Sequence, residues 1–108
     1  MVDSPLPFKL TATAARRIIK EIAEDSSRVI LTTHAKQRMR KRKISLAQVL
    51  NCLKSGQVDE GPASNMYGDW QCTMRWKNAG DFVRVAVAIE HDPDTHKRLI
   101  VITVMYES

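Results

Sequence analysis

The chain has 108 residues, the size of one domain with one core, and its 17 Lys and Arg against 12 Asp and Glu give a net charge of +5 and a pI near 9.5. That balance selects acidic partners such as nucleic acid, an anionic membrane or an acidic protein, while two each of Trp, Tyr and Phe are too few for a platform of stacked bases. Two cysteines make no disulfide framework and point to the cytoplasm. The opening MVDSPLPFKL lacks a signal-peptide pattern, and no apolar run reaches the ~18 residues of a membrane span.

Residues 1–9, with Pro5 and Pro7, read as a flexible arm, and residues 10–108 as a single α+β domain. A first helix is expected over 13–25, from Ala15, Ile18, Ile19 and Ile22 at helical spacing and a Thr11 or Thr13 cap. Arg16, Arg17 and Lys20 come early and Glu21, Glu24 and Asp25 late, against the macrodipole, so packing must hold this helix. A short strand over 28–31 leads to Thr32 or Thr33 as the cap of a second helix.

That helix carries the chain's densest charge. Lys36 to Lys43 reads KQRMRKRK, six basic residues in eight, with His34 two positions ahead. At ~100° per residue, His34, Arg38 and Lys41 fall within about one quadrant of the surface, with Arg42 at its margin. A turn at 43–45 follows. Ser45 and Gln48 have capping-box spacing, and Ile44 and Val49 that of a hydrophobic staple. The third helix, 46–54, has Leu46, Val49, Leu50 and Leu53 on one stripe, and Gly56 is expected to end it in the left-handed conformation. Helix, sharp turn, helix resembles a helix-turn-helix, but six cations leave few side chains to read base edges.

The rest reads as β-structure. A short strand is expected over 57–60, a polar loop over 61–68, and an alternating strand over 70–77 with Trp70, Cys72, Met74 and Trp76 on one side. A turn over 78–81 leads to a strand over 82–89 whose Val83, Val85, Val87 and Ile89 oppose Phe82, Arg84, Ala86 and Ala88. HDPDTH, 91–96, makes the next turn. The apolar run 99–106 is expected at the sheet centre. The order predicts an α+β fold with helices packed on one face of a mostly antiparallel sheet.

His34, His91, His96, Cys52 and Cys72 show no ligand spacing, so no metal is expected, and the scattered glycines make no phosphate loop. What survives is His34 among cations. The helix N-terminus and neighbouring Lys36 and Arg38 disfavour an imidazolium. A neutral imidazole can take the proton of a ribose 2′-hydroxyl while guanidiniums hold the scissile phosphate, which is RNA cleavage without a metal. The competing reading is a solvated helix with a capping histidine. Lys36, Arg40, Lys41 and Lys43 are candidate RNA-phosphate contacts. Arg75, Arg84 and Thr103 interrupt apolar strands; sharing one face, they would line a groove against the basic helix.

The string TTHAKQRMRKRKISLAQVLNCLKSG, residues 32–56, resembles the opening of the bacterial domain of unknown function 4258 family, through Thr32, His34, Ala35, Arg38, Met39, Arg42, Ile44 and Ser45. Val101-Ile102-Thr103-Val104 resembles the family's closing strand, so the likeness spans 28–106 and leaves out the helix near 10–25. Where many members have Gly before Ile-Ser this chain has Lys43, so a slightly different turn is expected. The family is similar to RelE, ParE and BrnT toxin domains, a group of small metal-independent ribonuclease folds. The resemblance implies helices on a curved antiparallel sheet and an active set of His34, Arg38, Arg42 and Thr103. It supplies no second proton carrier, for which Lys41 and Tyr106 are the candidates in this sequence. It implies a toxin-like endoribonuclease needing no cofactor, acting on RNA, with a small acidic antitoxin as protein partner and no membrane. The alternatives are a non-catalytic nucleic-acid binder and a protein-binding module. The oligomeric state is left open.

Overall fold

Thr11 starts the first helix, α1 (Ala12–Ala23): its hydroxyl accepts from the Ala14 amide at 3.1 Å, the bond an N-cap supplies. The computed structural model describes residues 10–92 and 96–107, so the arm 1–9, the tip of the 91–96 turn and the side chains of His91 and His96 lie outside the described residues. After α1 come a single 3-10 turn (Ser26–Arg28), β1 (Val29–Leu31), α2 (Thr33–Arg42) and α3 (Leu46–Ser55). Four strands follow among the described residues: β2 (Gln57–Ser64), β3 (Trp70–Asn78), β4 (Asp81–Asp92) and β5 (His96–Glu107).

The strands form one sheet in the order β1-β5-β4-β3-β2, with β1 parallel to β5 and every other pair antiparallel. The fold is α+β, as expected. The central strand is β4 rather than the apolar 99–106 run, because only three-residue β1 lies beyond β5 on one side while β4, β3 and β2 lie on the other.

All three helices bury their apolar residues on one face of this sheet. Ile19, Ile22 and Ala23 of α1, Ala35 of α2, and Val49, Cys52 and Leu53 of α3 meet Cys72, Met74, Val83, Val85, Val87, Leu99, Val101 and Val104 in one cluster. Arg16, unfavourably placed for the α1 dipole, is held from outside: its Nε donates to the Gly56 carbonyl at 2.8 Å and ties α1 to the end of α3.

The sequence alternation holds through β3 and β4 but breaks in β5. Ala86 pairs with Thr103 and Val87 with Val101, so Ile102 is an extra residue, a β-bulge. Unbroken period-two alternation from Leu99 and Val101 would drive Thr103 into the core. The bulge instead turns Val104 and Tyr106 inward and moves Thr103 to the other face. Two further register shifts, in β2, interrupt the pairing at the opposite edge of the sheet.

Two local expectations need correction. The predicted polar loop is strand as far as Ser64, because an edge strand pairs through its backbone and its polar side chains face water. The loop is shorter, 65–69, and Asn65 organises it by accepting from the amides of Tyr67 (2.9 Å) and Asp69 (3.1 Å). Gly56 is extended (φ −78°, ψ −177°), not left-handed. A glycine is needed there because a Cβ would lie 2.4 Å from the Cys52 carbonyl oxygen and 2.7 Å from that of Arg75.

Candidate functional site

Thr32 builds the start of α2. Its hydroxyl oxygen accepts from the Ala35 amide at 3.0 Å, capping the helix. The same hydroxyl donates toward the carbonyls of Val101 (2.9 Å) and Ile102 (3.2 Å), and the Thr32 amide donates to Val101 at 3.2 Å. One side chain therefore fixes the first turn of α2 to the β5 bulge. The sequence marks Thr32 as a cap; the bond to the bulge is invisible there. Thr32→Ala should cost roughly 1–2 kcal/mol by denaturant titration, and Thr32→Ser should recover most of it. Equal loss in both variants would mean the hydroxyl is not the anchor.

At the other end, Lys43 caps α2 in the left-handed conformation (φ 56°, ψ 45°), and the Ile44 amide reaches back to the Met39 carbonyl at 2.9 Å. Lys43 thus takes a backbone shape that glycine favours. Ser45 and Gln48 then form the full capping box: Ser45 Oγ accepts from the Gln48 amide at 3.1 Å, and Gln48 Oε1 accepts from the Ser45 amide at 2.8 Å. Gln48 Nε2 donates to the Tyr106 hydroxyl at 3.0 Å, joining the corner to the end of β5.

Between these two caps α2 is a fixed rod lying along β5. Ala35 is buried and Met39 half-buried. His34 is exposed in the first turn, Arg38 is half-buried, and Lys36, Arg40, Lys41, Arg42 and Lys43 are exposed. Helical spacing sorts these side chains onto two sides of the rod. His34, Arg38, Lys41 and Arg42 lie on one, and Lys36 and Arg40 about 160° away from His34 and Arg38 respectively. Among the described residues, none of the six cations from Lys36 to Lys43 forms an ion pair.

The sheet treats its arginines differently. Arg84 Nη2 lies 2.7 Å from Asp59 and 3.2 Å from Glu60. Arg75 lies 3.6 Å over the Phe82 ring, and its Nε is 3.3 Å from Glu107, near enough for charge attraction but not aligned as a hydrogen bond. Arg98 Nε lies 2.6 Å from Glu90. Arg75 and Arg84 are direct cross-strand partners, one row from the Ala86–Thr103 pair, so Arg75, Arg84 and Thr103 do share a face. It is the face away from the helices, and Thr103 makes no hydrogen bond to His34. The carboxylates that take up Arg84 are the Asp59-Glu60 step of β2, which only the folded register brings within reach.

Neither cysteine suits a nucleophile. Burial pushes the Cys52 thiol up to about 12, against a smaller downward pull from a backbone hydrogen bond with Val85, and burial pushes Cys72 up to about 11. Both stay protonated at neutral pH. Among the described residues, no three His, Cys, Asp or Glu side chains gather as a metal site, and no helix is long and apolar enough to cross a membrane.

A family model described as Domain of unknown function (DUF4258) matches residues 31–106, from the end of β1 to the end of β5. The chain belongs to that family. No curated protein and no solved structure matches it.

Proposed function

We propose that the side of α2 bearing His34, Arg38, Lys41 and Arg42 is an RNA-cleaving surface, and that this member of the DUF4258 family is a toxin-like, metal-independent endoribonuclease of the cytoplasm. One observation carries the reading. The sheet arginines are each paired with carboxylates, whereas the cations of α2 are unpaired among the described residues and stand beside an exposed imidazole. Unpaired cations on a rigid helix are a standing site for a polyanion, and an imidazole among them can move a proton.

The chemistry uses the substrate's own nucleophile. His34 takes the proton of a ribose 2′-hydroxyl, whose oxygen attacks the adjacent phosphorus. The bond from phosphorus to the 5′-oxygen breaks, leaving a 2′,3′-cyclic phosphate and a 5′-hydroxyl. Arg38 and Arg42 hold the phosphate and offset the charge that grows on it. The departing oxygen needs a proton, and Lys41 shares the side of α2 that carries His34. The Tyr106 hydroxyl is held by Gln48 on the helix-covered face of the sheet, so Lys41 is the donor in this scheme. Thr103 has no bond to His34 and is assigned no step.

The test is incubation of the purified chain with single-stranded RNA in EDTA, with end-group analysis of the products. Fragments with 2′,3′-cyclic phosphate ends are expected, and an oligonucleotide of the same sequence lacking 2′-hydroxyls should stay whole. RNA left intact, or cleavage of the 2′-deoxy strand at an equal rate, would overturn the proposal.

A further inference from the structure

The second side of α2 has a different character. Lys36 and Arg40 flank a shallow depression of about 290 Å³ at the α2–α3 corner, completed by Met39, Ile44, Ser45 and Leu46. Ile44 is buried at its floor and Met39 half-buried, while Leu46 is 48% exposed, a large aliphatic side chain left in water at the first position of α3. Two unpaired cations thus border a small aliphatic hollow, turned away from His34 by the helical spacing.

We infer that this corner is a docking site for an acidic polypeptide segment that carries an aliphatic anchor. The charges call for carboxylates opposite Lys36 and Arg40, and the hollow calls for a leucine- or isoleucine-sized side chain against Met39, Ile44 and Leu46. A nucleic acid backbone satisfies the first demand and not the second, since it has no aliphatic group to seat there. The corner is rigid before any partner arrives, fixed by the Ser45–Gln48 box and the Lys43 turn, so little ordering cost falls on this side of the interface. The inference does not depend on RNA cleavage.

The experiment selects short peptides from a random display library on the full chain, then measures a synthesised winner and a single-stranded RNA against the same variants. Enriched sequences should be rich in Asp and Glu around one or two Leu, Ile or Phe. Their affinity should fall about tenfold or more in Leu46→Ser and in Arg40→Glu, and stay within about twofold in His34→Ala. Leu46 is exposed at a helix start that accepts serine, so Leu46→Ser should keep the parent melting temperature and the parent RNA affinity. Failure to enrich acid-rich peptides, or winners indifferent to Leu46→Ser, overturns the inference and leaves the RNA reading untouched. Loss of RNA affinity in Leu46→Ser also overturns it, by assigning the hollow to the nucleic acid.

Discussion

Replacing His34 with alanine is expected to lower RNA cleavage by roughly 10²–10⁴-fold, the usual worth of one positioned proton-transfer group. The fold should not notice. His34 is exposed and makes no hydrogen bond among the described residues, so a surface-type change within about 0.5 kcal/mol is expected in urea titration. RNA affinity should also hold, because the proposed mechanism draws its phosphate contacts from the neighbouring cations. In contrast, Arg38→Ala and Arg42→Ala should weaken both binding and turnover and flatten the salt dependence of binding, each contact on single strands being worth about 0.7 in the logarithmic slope. Cleavage by His34→Ala at the parental rate would remove the imidazole from the mechanism, whatever the arginines do.

The largest expected loss of stability comes from Gly56. A methyl group there would meet two backbone carbonyls, Cys52 at 2.4 Å and Arg75 at 2.7 Å, and neither can rotate out of the way. One carbonyl belongs to α3 and the other to β3, so relief requires parting the helix from the sheet. Overpacking of a yielding side chain costs about 1–3 kcal/mol, and Gly56→Ala is expected to reach or exceed about 3 kcal/mol. Gly56→Asn separates two explanations. A glycine kept for a left-handed turn tolerates asparagine fairly well, whereas one kept for close approach does not. Asparagine should therefore be at least as damaging as alanine. A Gly56→Asn protein close to the parent in melting temperature would show that the approach is looser than these distances.

What the sequence disclosed was local. The capping box at Ser45 and Gln48, the threonine caps, and the alternation of Val83, Val85 and Val87 depend on residues a few positions apart, and each stands where the spacing puts it. The unpaired state of the α2 cations was not readable, because it is a statement about where Asp59, Glu60, Glu90 and Glu107 go instead. Thr103 stands out in the sequence as the polar residue of an apolar run. The reason it is tolerated, one extra residue at Ile102, lies in the pairing with β4. Gly56 departs from the expected left-handed turn for a related cause: of the two carbonyls that crowd it, that of Arg75 lies nineteen positions away in the chain and closes on it only once the sheet has formed. The sequence predicts a turn at Lys43 that differs from a glycine turn, yet the lysine adopts a glycine-like backbone.

Among the described residues the helices cover one side of the sheet, and the middle of the other side is apolar, with Ala88 buried and Ala86, Ile100 and Met105 half-buried. Such a slab invites a second slab to lie flat upon it. Arg84 with Asp59 and Glu60, and Arg75 with Glu107, stand near one end of that middle, and Arg98 with Glu90 near the other. Any stacking molecule would have to strip water from these ions at several kcal/mol apiece. Charged rows of this kind oppose stacking, so neutral replacements at Arg75, Arg84 and Arg98 are expected to increase clumping at high concentration.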